Sequence, residues 1–206
     1  LIFLFLVISC QPKEEAEVLP DVFVVVLGIA QDAGSPQINC QKPCCKDLWD
    51  HPENRQKVVS LGLVDRIENK VWLFDATPDF KDQLQQLLSY LPEANINSLK
   101  GIFLTHAHIG HYTGLMDLGR EALGANSVPV YAMPKMKTFL ENNGPWSQLV
   151  ELNNINLVEL NADSIINLTD NLMLTPMLVP HRDEYSETVG YQVEGNSKSF
   201  LFIPDI

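Results

Sequence analysis

Apolar residues recur along this chain with two periods, and their alternation predicts its architecture. Val22-Phe23-Val24-Val25-Val26-Leu27, closed by Gly28, is a nearly unbroken β-branched run that reads as a buried strand. Residues 58–64 and 70–74 read as two further strands flanking the polar turn Arg66-Ile67-Glu68-Asn69, as in a hairpin. Leu84, Leu87, Leu88 and Leu91 then recur at helical spacing until Pro92, which predicts a helix over 80–91 with one buried face. A short apolar strand follows at 101–104, then a helix at about 113–123, a strand at 128–131 and a helix at 135–142. Four strand patterns close the chain, at 156–160, 172–179, 188–193 and 199–203. Strands at both ends with helices between them predict a layered α/β sandwich. The stretch 31–55 fits neither period. Its Gly, Pro and cysteine content marks an irregular lobe.

The 206 residues suffice for one domain with a sizeable core, and an apolar fraction of 46% argues against disorder. The net charge of −12, from 14 basic and 26 acidic residues, disfavours nucleic acid as a partner. A small phosphoester substrate stays compatible with that charge, because a bound metal ion reverses the local field.

The ends carry their own signals. The chain starts at Leu1 and stops at Ile206 directly after an apolar run, so we read it as a fragment of a longer chain. Residues 1–9 are apolar but too few to span a bilayer, and they suit the core of a signal peptide. Val7-Ile8-Ser9-Cys10 resembles the lipobox of bacterial lipoproteins, which implies lipidation at Cys10 and a polar tether over 11–17. A buried N-terminal strand is the competing reading. The lipoprotein reading divides the chain into a signal segment and tether, 1–20, and a domain, 21–206. It also implies a lipid anchor in the bacterial cell envelope.

The chemistry concentrates in the histidines. Three of the five lie within six residues, at His106, His108 and His111, directly after an apolar strand. In extended backbone alternate side chains share a face, so His106 and His108 can present both imidazoles to one ion. A turn into a helix would bring His111 beside them. His181 follows another strand and Pro180. Imidazole suits zinc and also iron, nickel and copper. The competing reading is a chance cluster of surface histidines.

The segment Phe103-Leu104-Thr105-His106-Ala107-His108-Ile109-Gly110-His111-Tyr112-Thr113-Gly114-Leu115 resembles the T-H-x-H-x-D-H-x-x-G-L signature of the metallo-β-lactamase superfamily. His181 ahead of Thr188-Val189-Gly190-Tyr191 is similar to that family's third motif, and Phe202-Ile203-Pro204-Asp205 to its strand ending in a metal-bridging aspartate. The resemblance implies a four-layer αββα sandwich with metals at one edge. It also implies that His106, His108 and His181 hold a first ion, while Asp205 bridges to a second beside His111. Leu27-Gly28-Ile29-Ala30, Gly34-Ser35-Pro36-Gln37-Ile38-Asn39-Cys40 and Asp75-Ala76-Thr77-Pro78-Asp79-Phe80 are similar to the protein B branch of pyrroloquinoline quinone (PQQ) biosynthesis. One position departs from the superfamily pattern. Gly110 stands where the signature has an aspartate, which leaves the second metal position short of a ligand. A single-metal or weakly held two-metal site is expected, and aspartate at 110 is expected to tighten the second position.

Cys40, Cys44 and Cys45 form a C-x3-C-C cluster with His51 six residues on. Three thiolates and an imidazole would make a tetrahedral structural zinc site able to order the lobe. A disulfide from Cys40 to Cys44 or Cys45, or free thiols, are the alternatives. The similarity to the PQQ branch, which carries a cysteine-rich zinc loop, favours zinc.

Three functions compete. The resemblance implies first a hydrolase in which metal-bound hydroxide attacks an ester, lactone or phosphodiester of a small molecule. Its catalytic residues would be His106, His108, His111 and Asp205, with Asp75 and Asp79 as outer hydrogen-bond partners of the imidazoles. Helix capping is the alternative for Asp79. The second function is an iron-dependent oxidase or hydroxylase, and the third a non-catalytic binding lipoprotein.

Overall fold

A computed structural model describes residues 19–182 and 184–206. The proposed leader, Cys10 and the tether lie outside the described residues. Two sheets stack face to face. The first is mixed and six-stranded, with β1 (Val22–Gly28), β2 (Ser60–Asp65), β3 (Lys70–Phe74), β4 (Leu99–Phe103), β5 (Val128–Ala132) and β6 (Ile155–Glu159) in spatial order. The β1–β2–β3 part is antiparallel and β3 to β6 run parallel. The second sheet is an antiparallel set formed by β7 (Ile166–Thr169), β8 (Leu172–Leu178), β9 (Val189–Gly195) and β10 (Ser199–Phe202), in the order β10-β9-β8-β7.

Period-two alternation decides what each face of the first sheet covers. Val64, Val71, Leu73, Ile102, Val130 and Ala132 pack with Leu84, Leu87, Leu115, Met136, Leu140 and Leu149 from the helical side. The intervening residues Leu63, Trp72, Phe74 and Phe103 point the other way, into a second core with Leu174, Val189, Tyr191, Val193 and Phe202. The helical side holds α2 (Phe80–Leu88), α4 (Pro134–Asn142) and α5 (Trp146–Glu151); α1 (Pro43–Lys46) and α3 (Ile109–Tyr112) are single short turns of helix. Among the described residues the layers are therefore helix, sheet and sheet, three of the four layers of an αββα sandwich. No helix among them is long and apolar enough to cross a membrane. Trp72 lies between the sheets at 2% exposure. Trp72→Ala is expected to lower the unfolding free energy by about 3–5 kcal/mol, read as an earlier urea midpoint.

Two expectations need correction. Among the described residues β1 pairs with β2 alone, and its apolar run is not buried on both faces, since Val22, Val24 and Val26 are exposed. Val25 and Leu27 enter the helical core, whereas Val22 and Val24 line an open cleft of about 550 Å³ toward the second sheet. The helix expected at 113–123 forms earlier: α3 lies inside the histidine motif, and Thr113–Leu118 continues as a 3₁₀ helix. Gly119 and Gly124, the latter at φ +59°, turn the chain where the long helix was expected. The elements α5 and β7 also carry too weak a periodicity to be read in advance.

Candidate metal centre

Because β1 and β3 both oppose β2, and β3 and β4 are parallel, these three strands end at the same edge of the first sheet. β8 and β10, both antiparallel to β9, likewise share a direction. The loops after these strands bring Asp32, Asp75, His106–His111, His181 and Asp205 together, at the carboxyl ends of strands where open α/β sheets place their ligands.

The histidine segment is pinned on both sides. Thr105 O accepts from Val189 N at 3.1 Å, and Ala107 N donates to Ser186 Oγ at 2.8 Å. Tyr191 Oη also donates to Leu104 O. Beneath it lies an aromatic floor, with Phe103 stacked on Tyr131 at 4.3 Å and on Phe74 at 5.5 Å. That floor holds the ring positions without flexible side chains.

Within the site, His106 Nε2 lies 2.8 Å from His108 Nδ1, and His181 Nε2 lies 3.3 Å from the same atom. Asp205 Oδ2 is 3.5 Å from His106 Nε2 and 3.6 Å from both His181 Nε2 and His111 Nε2. The far nitrogens already have partners. His106 Nδ1 is 3.0 Å from Thr105 Oγ1, and His108 Nε2 is 3.3 Å from Glu184 Oε2. Thr105 Oγ1 in turn donates to Asp75 Oδ2 at 2.9 Å, so a hydrogen-bond chain leaves the His106 Nε2 lone pair facing inward. Burial first, then the charges of His111, His108 and His181, pushes His106 down to about 2, so its imidazole is neutral.

Asp75 is the hub of this arrangement. It is fully buried, its backbone takes φ 66°, and it accepts from Thr105 N at 2.8 Å as well as from the Thr105 hydroxyl. His111 Nδ1 donates to its Oδ2 at 2.8 Å, leaving Nε2 aimed into the site. Burial pushes the Asp75 carboxyl up. Burial acts downward on His111, but the Asp75 and Asp32 carboxylates outweigh it and hold the ring up at about 10.

The donor set fits a metal ion. The donor atoms of His106, His108, His181 and Asp205 lie within 4.8 Å of one another, a spacing at which three imidazole nitrogens and a carboxylate can share one cation. His111 Nε2 is buried without an aligned hydrogen bond, although Asp32 Oδ1 is 2.9 Å away. Asp32, His111 and Asp205 form a second convergent group that shares Asp205 with the first.

His106, His108, His111, His181, Asp205 and Asp75, all expected at this edge, come together there. Asp79 does not join them. Its carboxylate accepts from Val58 N at 2.8 Å, tying the start of α2 to the strand region, and it makes no side-chain cap either. In the lobe, Cys40, Cys44 and Cys45 are free thiols whose sulfurs lie within 4.8 Å of one another, so neither proposed disulfide is formed. His51 stands apart from that cluster, with Nδ1 3.2 Å from Glu53 Oε1 on the exposed surface. Asp32 was missed altogether. Its one signal was position: it comes four residues beyond a strand ending at the site edge.

A family model described as "Beta-lactamase superfamily domain" matches residues 71–206. Coenzyme PQQ synthesis protein B from Xanthomonas oryzae pv. oryzae is 23% identical over 198 residues, covering 88% of this chain. The chain spans 64% of that relative's length. Among solved structures, Zn2+-bound PqqB from Methylobacterium extorquens is similar in fold, with a TM-score of 0.72 at 22% identity over 88% of this chain and 64% of that one. A diphosphatase from the PhnP family aligns with a TM-score of 0.61 at 25% identity, covering 84% of this chain and 61% of that one. With two stacked sheets, a histidine and aspartate cluster at their shared edge and a family match over about two thirds of its length, the chain belongs to the beta-lactamase superfamily.

Proposed function

We propose that this chain is a zinc-dependent hydrolase acting on an ester, lactone or phosphodiester bond of a small molecule. The observation that carries the reading is the convergence of His106 Nε2, His108 Nδ1 and His181 Nε2 with Asp205 Oδ2. These residues would hold an ion that, when bound, would supply an acidified water and a Lewis acid for the substrate oxygen. The protein's part is positioning. Asp75 and Thr105 fix the tautomers of His111 and His106, and Glu184 does the same for His108. Beside Glu184, a cleft of about 550 Å³ lined by Thr138, Phe139, Asn142 and Tyr185 offers an aromatic and polar wall to a small substrate. Similarity to a diphosphatase favours a phosphoryl centre, and so the phosphodiester, over the two carbonyl bond types.

A second reading, an iron-dependent oxidase or hydroxylase, draws on the similarity to Coenzyme PQQ synthesis protein B. Both metals suit this donor set. Turnover of bis(p-nitrophenyl) phosphate separates the two. The hydrolase is expected to cleave it, to lose activity on chelation and to regain it with added zinc. Iron in the purified protein with oxygen uptake and no hydrolysis would replace the first reading by the second.

A further inference from the structure

The glycine inside the histidine motif is explained by a residue distant in sequence. A Cβ at Gly110 would lie 2.3 Å from Asp32 Oδ1 and 2.6 Å from its Cγ. The Asp32 carboxylate therefore fills the volume that any side chain at 110 would need. Its Oδ1 lies 2.9 Å from His111 Nε2, and the two residues form a convergent group with Asp205. We propose that Asp32 is a ligand of a second divalent cation, supplying from the loop after β1 the carboxylate missing at position 110.

Two observations support this beyond the contact itself. His111 Nε2 is a buried polar atom with no aligned hydrogen bond, so it is directed toward a partner other than the Asp32 oxygen alone. The loop that delivers Asp32 is built to hold position. Ile29 N and Ala30 N donate to Lys57 O, Val59 N donates to Ala30 O, and Ser35 and Gln56 exchange both backbone hydrogen bonds. Asp32 is thus clamped on both sides within a few residues. The expectation that aspartate at 110 tightens the second position is thereby reversed. With Asp32 present, the new side chain meets an occupied space and a like charge.

The inference rests on the metal-site reading of the preceding subsection, and the test keeps the two separable. Zinc per chain and cobalt titration by visible absorption are measured for the wild type, Asp32→Ala, Asp32→Asn, Gly110→Asp and Asp32→Ala/Gly110→Asp, with thermal unfolding as the folding control. Two ions are expected in the wild type. Both Asp32 variants are expected to keep the first ion and to bind the second at least about 10–100-fold more weakly, the loss typical of removing even an outer partner. Gly110→Asp alone is expected to weaken the second ion, and the double variant to restore much of it. Two ions of unchanged affinity in both Asp32 variants, or a single wild-type ion insensitive to Asp32, would overturn this inference and leave the three-histidine site standing. A folded wild type that binds no ion would overturn the metal reading itself.

Discussion

Asp75→Ala is expected to lower the unfolding free energy by about 3–5 kcal/mol, the range for removing one partner of a buried ionic pair. Asp75 is fully buried and accepts from Thr105 N, Thr105 Oγ1 and His111 Nδ1. Its removal leaves those three donors unpaired in a space closed to water. The cost falls on the site as well as the fold, because the His111 ring loses the contact that turns Nε2 inward. Asp75→Asn keeps the shape and acceptor capacity toward Thr105 but removes the charge facing His111. We expect it to lose less stability than the alanine variant while still weakening metal binding. Urea unfolding monitored by tryptophan fluorescence, paired with metal content, reads both effects. Equal stability of Asp75→Ala and wild type would contradict the hub assigned to Asp75.

His106→Ala is expected to produce the largest loss of function. Its imidazole is 1% exposed, neutral, and has Nε2 within 3.5 Å of both His108 Nδ1 and Asp205 Oδ2. Removing it takes one of three nitrogens from the first ion. Affinity is expected to fall by more than the 10–100-fold typical of outer-partner loss, with hydrolysis falling in proportion to occupancy. Stability is expected to change less than in Asp75→Ala, because His106 engages no buried charge through a direct hydrogen bond. Equilibrium dialysis against zinc checks this, and wild-type affinity in His106→Ala would contradict the assignment.

The histidine site was legible because its information is local. A strand places His106 and His108 on one face, and a turn delivers His111, all within six residues. His181 and Asp205 could be read for a similar reason, since each follows an apolar strand and resembles a motif of the family. Asp32 was not legible, because its place depends on a loop clamp between residues 29–35 and 56–59 that no local pattern encodes. The absence of a side chain at Gly110 was visible in the sequence, but the residue filling that space was not. Asp79 and His51 show the opposite error. Each has the right chemistry at a plausible spacing, yet a nearer partner, Val58 N for one and Glu53 for the other, takes the side chain. The exposed face of β1 was misjudged because a β-branched run records strand preference, not position in the sheet.

Every role proposed for this site requires an ion among three histidines and one aspartate. Anomalous diffraction from crystals of the zinc-loaded protein, collected on both sides of the zinc edge, tests this directly. A peak enclosed by His106 Nε2, His108 Nδ1, His181 Nε2 and Asp205 Oδ2 is predicted. Ordered side chains around that point with no anomalous peak, or zinc found only at Cys40, Cys44 and Cys45, would contradict it.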